Sequence, residues 1–141
     1  MRISPGPSLD AAVSLLKGAQ LPTEDLTPAH CESFFFAGSA SAPTGLVGLE
    51  LFGAVALLRS LVVLADHRGA GEGAALVRFA EEQARARGVR TVYLLTTTAE
   101  EFFVKRGYGR VPRDSAPSSI RSTREFSGMC PASSAFMARE L

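Results

Sequence analysis

The sequence predicts one α+β domain (α/β mixed) over residues 1–141, in which helices pack against a mixed sheet. Three observations predict it. The length of 141 residues is the usual length of one domain. Segments with the two-residue period of strands are interspersed with segments of helical spacing. A glycine-rich loop joins the longest predicted strand to the longest predicted helix, which indicates a β-α-β unit at the centre of the chain.

Composition excludes several classes of protein. Hydrophobic residues make up 46% of the chain and charged residues 21%, which favours a globular domain over a disordered one. Fifteen Lys+Arg against fourteen Asp+Glu give a net charge of +1, so we expect no nucleic-acid partner. Cys31 and Cys130 stand far apart and lack metal-ligand spacing, so no metal is expected.

The chain shows no targeting or membrane segment. Its first residues lack the apolar stretch of a signal peptide. The longest apolar run, residues 54–58, ends at Arg59, far short of the roughly 20 residues that a membrane span needs. We therefore expect a cytoplasmic protein without a membrane partner.

The first part of the chain predicts one edge strand and two helices. Residues 2–4 are compatible with an edge strand before a proline. A helix over residues 9–17 has an N-cap in Ser8 or Asp10. Residues 22–25, a proline followed by two acidic side chains within three residues, predict the start of a second helix.

A three-strand antiparallel meander follows. The expected strands are residues 32–37, 45–51 and 54–64. If Phe52 and Gly53 are the turn residues between the last two strands, Leu51 faces Ala54. Glu50 and Arg59 then point to the same face of the sheet, because side chains alternate along a strand.

The remaining elements surround the central β-α-β unit. A glycine-rich loop over residues 65–73 leads into a helix from about Gly71 to Arg87, closed by Gly88, with Glu81 and Arg85 paired on its solvent face. The later elements are a strand at 91–95, a helix at 99–106, a strand at 108–111, a helical stretch at 117–126 and a strand at 135–139.

The glycine-rich loop predicts phosphate binding, because free amides and a helix dipole meet at a helix start. A Walker loop is excluded, since the loop contains no lysine. Gly69-x-Gly71-x-x-Ala74 fits a Rossmann fingerprint, but no acidic residue ends the next strand and the upstream meander does not fit a doubly wound sheet. The third interpretation rests on Arg68-x-x-Gly71-x-Gly73.

That pattern resembles the acyl-CoA pyrophosphate loop of the GNAT N-acetyltransferase superfamily. Residues 102–108, Phe-Phe-Val-Lys-Arg-Gly-Tyr, resemble the family's aromatic–basic–Gly–aromatic segment. The strings at 58–63, 93–99 and 120–126, with Cys130-Pro131, resemble the small branch of arsenic-resistance N-acetyltransferases. The resemblance covers about residues 30–140. It implies a GNAT-like acyl-CoA N-acyltransferase fold with a mostly antiparallel sheet of six to seven strands.

The resemblance also implies acetyl-CoA as co-substrate and a set of residues that bind it. The backbone of Leu61, Val62 and Val63 would pair with the pantetheine arm. Arg68 would fix the loop, and Thr96 would contact the cofactor at the end of its strand. The amides expected to hold the pyrophosphate are those of Gly69, Ala70, Gly71, Gly73 and Ala74.

Acetyl transfer to an amine needs a neutral amine, a polarised thioester carbonyl and a stabilised thiolate. Glu50 is the predicted base, directly or through water. The family's usual tyrosine acid is replaced by Phe103. Either Tyr93, Tyr108, a threonine hydroxyl or water replaces that acid, or the enzyme relies on positioning and lets the thiolate leave with modest help. We favour the second alternative.

The expected substrate is a small amino acid-like amine, with an arsenic-containing amino acid analogue as one candidate. The predicted substrate-binding residues are Arg59, Ser60, Thr97, Thr98, Arg121 and Arg124. Arg59 needs an anionic partner if it is buried, and either Glu50 or a substrate carboxylate would serve. A non-catalytic acyl-CoA-binding module is the alternative function, and the chain is expected to be a monomer or a homodimer.

Overall fold

The computed structural model describes residues 2–129 and 133–141, without the side chain of Met129. Met1 and residues 130–132 lie outside the described residues. The segment Cys130-Pro131, which the resemblance included, therefore lies outside them too. The strands are β1 (Ile3–Pro5), β2 (Phe34–Gly38), β3 (Pro43–Phe52), β4 (Val55–Val63), β5 (Thr91–Thr96), β6 (Gly109–Arg110) and β7 (Ala135–Glu140). The helices are α1 (Leu9–Gly18), α2 (Pro28–Cys31), α3 (Glu72–Ala86), α4 (Glu100–Val104) and α5 (Ser118–Arg121).

All seven strands form one sheet in the order β1-β2-β3-β4-β5-β7-β6. Strands β4 and β5 pair in parallel, and the other neighbouring strands pair antiparallel. Helix α3 connects the parallel pair, as a crossover must. The structure thus confirms the α+β class, the mixed sheet and the central β-α-β unit. No helix within the described ranges is long and apolar enough to cross a bilayer.

The hairpin between β3 and β4 differs from the prediction by one residue. The turn is formed by Gly53 and Ala54, since Phe52 already pairs with Val55. Gly53 has a φ of +69°, a conformation that glycine adopts without a steric cost. Moving the turn by one residue shifts the pairing by two, so the side-chain faces are unchanged. Glu50 therefore still points to the same face as residue 59, as predicted.

The predicted second helix was wrong. Residues 22–25 form an irregular segment that ends in a turn, and α2 begins only at Pro28, after the N-cap residue Thr27. Proline suits this first helical position because its missing N–H would have no partner there. The acidic side chain of Asp25 does not cap a helix; it turns towards a buried arginine on β4.

Apolar side chains cover both faces of the sheet. On one face Phe35 and Val47 pack with the apolar side of α3, and on the other Phe34 and Leu46 pack with α1. Further along this second face, Ile120 of α5 packs in another apolar cluster. Burial of such a side chain contributes roughly 1.5–3 kcal/mol. The sheet is therefore the middle layer between α3 on one side and α1 and α5 on the other.

Helix α3 ends as predicted, at Gly88 with a φ of +88°, but the predicted surface pair Glu81–Arg85 was wrong. Glu81 is 6% exposed. Its carboxylate accepts hydrogen bonds from the hydroxyl of Tyr108 and from Nη1 of Arg139, both at 2.8 Å. These partners lie 27 and 58 residues away in sequence, so helical spacing alone does not reveal them.

Candidate functional site

The loop between β4 and α3 leaves backbone amides free at the start of the helix. Gly71 is the N-cap residue, with a φ of +79° and no side chain capping the helix. The amide of Ala75 makes the first intrahelical bond, to the carbonyl of Gly71, so the amides of residues 72–74 precede it. Such amides and the helix dipole suit a phosphate. Arg68 Nε donates to the carbonyl of Val63 at 3.0 Å, which fixes the loop to the end of β4.

A groove of about 670 Å³ runs along this loop. Ala70 is not among its lining residues, and Thr96 lies in an adjoining cavity. A Cβ atom at Gly73 would lie 3.5 Å from the ring of Phe102, an ordinary van der Waals contact. The other predicted cofactor-binding residues all line the groove: Leu61, Val62, Val63, Arg68, Gly69, Gly71, Gly73 and Ala74.

Strands β4 and β5 separate beyond their first residues. They pair over Val55–Leu57 and Thr91–Tyr93 and then diverge. On the other edge of β4, a bulge interrupts the pairing with β3, and Ser60 at the bulge has a φ of +59°. A bulge leaves one residue unpaired and turns the strand locally. The divergence and the bulge together open the sheet at the C-terminal half of β4.

The opening holds a second cavity, of about 280 Å³. Residues 58–61 of β4 and residues 94–99 at the end of β5 form its walls, and these include the predicted residues Ser60, Thr97 and Thr98. The cavity shares Leu61 and Thr98 with the groove along the glycine loop. Groove and cavity therefore adjoin, and we call the two together the cleft.

Arg59 lies at the floor of the cleft and is 3% exposed. Its Nη1 and Nη2 donate to the carboxylate of Asp25 at 2.5 and 2.9 Å, and Nη1 also donates to Oε2 of Glu50 at 2.8 Å. Nε donates to Oγ of Ser60 at 3.1 Å and lies 3.5 Å from Oε1 of Glu125. Three carboxylates from separate segments thus surround one guanidinium; we call these four residues the Arg59 cluster.

Asp25 and Glu125 differ in their affinity for protons. Burial raises the pKa of Asp25, but the hydrogen bonds and charge of Arg59 outweigh burial and hold that pKa below its usual value. Burial raises the pKa of Glu125 to about 7; the charge of Arg59 opposes this rise, and the carboxylates of Glu50 and Asp25 add to it. Glu125 is therefore able to exchange a proton near neutral pH.

The cluster opens on two sides. Arg59 and Glu125 line the cleft, whereas Asp25 and Glu50 line a separate depression of about 250 Å³. Glu50, the predicted base, therefore contacts the floor through its ion pair with Arg59 and is not among the residues lining the cleft. Sequence reasoning missed Asp25 and Glu125, because no local spacing connects either of them to residue 59.

Neither tyrosine of the chain lines the cleft. The hydroxyl of Tyr108 donates to Glu81 below α3, and burial together with that carboxylate raises its pKa. The ring of Tyr93 stacks on Phe136 with centroids 5.4 Å apart. Phe103 does line the cleft, at the position where the family's acid is expected. Of the groups predicted to replace that acid, the threonine hydroxyls and water remain, beside the favoured alternative in which positioning suffices.

A buried serine was also missed. Ser134, just before β7, is 6% exposed and lines the cleft. Its Oγ has no hydrogen-bond partner within the described part of the chain. A buried polar atom without a partner costs free energy, so it is suited to bind a group that enters the cleft. Nothing in the sequence distinguishes this serine from its neighbours.

The remaining predicted residues lie in three places. Thr96 Oγ1 accepts a hydrogen bond from the amide of Ala99 at 3.0 Å and so caps the turn before α4. Arg121 is exposed and donates to the carbonyl of Asp114. Arg124 is exposed at the depression beside Glu50. The structure therefore brings neither arginine of the C-terminal segment to the cleft.

Asp25, His30 and Glu50 bring ligand atoms within 4.8 Å of one another. The hydrogen bonds of His30 argue against a metal there. The amide of Thr27 donates to its Nδ1 at 3.2 Å, so a neutral ring carries its proton on Nε2 and has no lone pair left for a metal. Asp25 and Glu50 are in addition held by the positive charge of Arg59.

Comparisons with known proteins agree with this geometry. The chain is 38% identical, over 61 residues, to an amino-acid acetyltransferase from Ralstonia nicotianae; the match covers 43% of this chain and 14% of that protein. Its fold is similar to that of N-acetylglutamate synthase from Neisseria gonorrhoeae complexed with coenzyme A and N-acetyl-glutamate. The TM-score is 0.85 at 19% identity, over 99% of this chain and 35% of that one. The chain thus spans a small part of both relatives.

A protein of similar length has the same fold. An acetyltransferase of the GNAT family from Staphylococcus aureus Mu50 superposes with a TM-score of 0.77 at 16% identity, covering 99% of this chain and 98% of that one. The family model described as Acetyltransferase (GNAT) family matches residues 11–108, from α1 to the residue before β6. That range contains the meander, the glycine loop and the β4–β5 opening, and on this evidence the chain belongs to the GNAT acetyltransferase family.

Proposed function

We propose that this chain transfers the acetyl group of acetyl-CoA to the amine of a small amino acid-like substrate. One observation carries the proposal: the groove along the free amides of α3 adjoins the opening between β4 and β5, and that opening is lined by the buried acidic group of Glu125. The free amides suit a diphosphate, and the acidic end suits an amine.

Different groups along the cleft bind different parts of acetyl-CoA. The amides of residues 72–74 bind the pyrophosphate, and the exposed backbone at the end of β4, residues 61–63, pairs with the pantetheine arm. The thioester then lies near Leu61 and Thr98, where groove and cavity meet. The bulge at Ser60 leaves a backbone group unpaired beside this point. An amide there polarises the thioester carbonyl as the oxyanion forms.

The electrostatics of the floor favour an ammonium group. Among the described residues that line the second cavity, Arg59 is the one basic residue, and its guanidinium is already engaged by Asp25 and Glu50. A substrate carboxylate would have to displace these groups, whereas an ammonium adds to an excess of carboxylates. The relatives' names support an amino acid, and the arsenic-resistance resemblance supports an arsenic-containing analogue, as the acceptor class.

The test follows thiol release from acetyl-CoA with a panel of primary amines, amino acids including glutamate, and arsenic-containing amino acid analogues. Each amine is paired with its N-methylated or deaminated counterpart as a matched control. We expect release that depends on the primary amine, with product mass increased by one acetyl group. CoA binding by calorimetry without turnover on any amine would contradict the proposal.

That negative outcome would support the alternative function, a non-catalytic acyl-CoA-binding module. Phe103 favours it, because its ring lines the cleft where a proton donor is expected and carries no acidic hydrogen. The two functions differ in the acidic floor: a module that only binds CoA has no need for buried carboxylates beyond the thioester. The Arg59 cluster therefore favours the enzyme over the non-catalytic binding module.

A further inference from the structure

We propose that Glu125 accepts the proton of the substrate ammonium and so generates the attacking amine. The inference rests on the proposed function and names the residue that serves it. It differs from the sequence-based candidate Glu50, which lies on β3 and lines the separate depression.

The first argument is access. Of the three carboxylates in the Arg59 cluster, Glu125 is the one that lines the cleft, and it is 5% exposed. A proton acceptor must come within hydrogen-bond distance of the ammonium or reach it through one water. Asp25 and Glu50 line the separate depression instead, and both are bound to the guanidinium of Arg59.

The second argument is availability. Asp25 makes two hydrogen bonds to Arg59, at 2.5 and 2.9 Å, and Glu50 makes one at 2.8 Å. Glu125 lies 3.5 Å from Nε, beyond a well-formed hydrogen bond, while Ser60 Oγ takes that donor at 3.1 Å. Glu125 therefore keeps the lone pairs of both oxygens for a ligand, whereas both oxygens of Asp25 and one oxygen of Glu50 are already bound to Arg59.

The third argument is the charge around Glu125. Arg59 on β4 faces it with a positive charge, while Glu50 on β3 and Asp25 before α2 add negative charge. In the C-terminal segment that contains Glu125, the guanidinium of Arg113 stacks over the ring of Phe126, the next residue in sequence, 5.6 Å from the ring centroid. Burial outweighs the attraction of Arg59, so the pKa rises to about 7. A base with a pKa near the working pH is suited to proton transfer.

The bonds and protons balance without a further reagent. One proton of R–NH3+ passes to the Glu125 carboxylate, and the freed lone pair forms the C–N bond at the thioester carbonyl. The C–S bond then breaks, and its electron pair leaves with the CoA thiolate. The second nitrogen proton neutralises the thiolate, directly or through water, and Glu125 returns its proton to solvent. The products are the N-acetyl amine, CoA thiol and one proton.

The experiment compares E125Q with wild type, with E50Q as the rival and with the exposed E32Q as the matched control. On the best amine, wild-type kcat/KM should rise with pH through a midpoint near 7. E125Q should lose about 100-fold or more at pH 7. Its residual rate should instead follow the fraction of neutral amine in solution, because the variant can use only amine that is already deprotonated. Glu125→Asp, a second variant, should retain part of the wild-type pH dependence.

Further readouts separate the outcomes. CoA affinity should be equal in wild type and E125Q, since Glu125 is not among the residues of the groove along the glycine loop. Unchanged kcat/KM and pH profile in folded E125Q and Glu125→Asp would overturn the proposal, as would a loss confined to E50Q. Wild type that binds CoA and turns over no amine would overturn the proposed function itself, and this inference with it.

Discussion

Arg59 connects three segments of the chain through its ion pairs, and the cost of removing it follows from burial. Arg59→Met keeps much of the volume and removes the charge, which leaves Asp25, Glu50 and Glu125 without their cation. Loss of one partner from a buried ion pair costs about 3–5 kcal/mol. We expect a decrease of that size in the free energy of unfolding, measured by urea denaturation at pH 7.

The control for this variant is Arg121→Met, which removes an exposed arginine from the same side of the sheet. Surface substitutions usually change stability by less than about 0.5 kcal/mol. The difference between the two variants should shrink at pH 4, because protonated carboxyl groups no longer repel one another. If Arg59→Met costs less than about 1 kcal/mol at pH 7, the cluster is hydrated in solution.

Glu125 predicts a pH dependence of stability. Its pKa is about 7 in the folded protein against 4.5 for the ordinary side chain, so the folded state binds the proton more tightly. The stabilisation is complete below pH 4.5 and is lost as the pH rises through 7. At about 1.4 kcal/mol per pKa unit, the full difference is about 3 kcal/mol.

The measurement compares wild type with E125Q by urea denaturation at pH 5 and pH 8. The free energy of unfolding of wild type should fall relative to that of E125Q between these values. E32Q, which changes an exposed glutamate, should follow wild type. A difference between wild type and E125Q that is independent of pH would show that Glu125 titrates like a glutamate in water.

At the scale of elements, local patterns predicted what local energetics determine. Ser8 caps α1 through its Oγ, and Gly88 ends α3, as expected, because caps depend on neighbouring residues. The same local rules predicted a surface ion pair for Glu81 and a helix start at Asp25, and both predictions were wrong. Both are bound by charges far away in sequence, so the tertiary fold overrides the local preference.

The candidate site divides in the same way. The glycine loop was predictable, since its sequence sets the φ angles and its position at a helix start sets its chemistry. The face shared by Glu50 and Arg59 was predictable from strand alternation, even with the turn misplaced. The position of Glu125 beside Arg59 was not predictable, because its segment reaches β4 only through the packing of the C-terminal part of the chain.

Helix α3 begins with a carboxylate where the proposed function needs an anion site, and this gives a third prediction. Glu72 is 7% exposed, and its Oε1 accepts from Thr44 Oγ1 at 2.9 Å, while Oε2 has no partner in the described part of the chain. Glu72→Gln removes a negative charge beside the proposed pyrophosphate site and keeps the acceptor for Thr44. CoA should bind about fivefold more tightly, for about 1 kcal/mol of repulsion removed.

Isothermal titration with CoA at low ionic strength measures this change. Glu82→Gln is the matched control, because it removes the same charge from an exposed position further along α3. The gain should decrease with added salt, since screening weakens the repulsion. Equal affinities for Glu72→Gln and Glu82→Gln would place the pyrophosphate away from the start of α3.

The molecule as a whole predicts which cofactor stabilises it. Its sheet has one parallel pair, β4–β5, which opens beside the start of α3, whereas a dinucleotide fold needs a doubly wound parallel sheet. CoA at 100 times its Kd should stabilise the fold by about 2.7 kcal/mol, equivalent to a rise in Tm on the order of 10 °C. NAD at the same concentration should leave the Tm unchanged, although it also carries a pyrophosphate and an adenosine. We expect this difference because NAD lacks the pantetheine arm, which in the proposed function lies along β4 where that strand diverges from β5. A larger shift with NAD than with CoA, followed by scanning calorimetry, would show that the opening of the sheet does not determine the ligand.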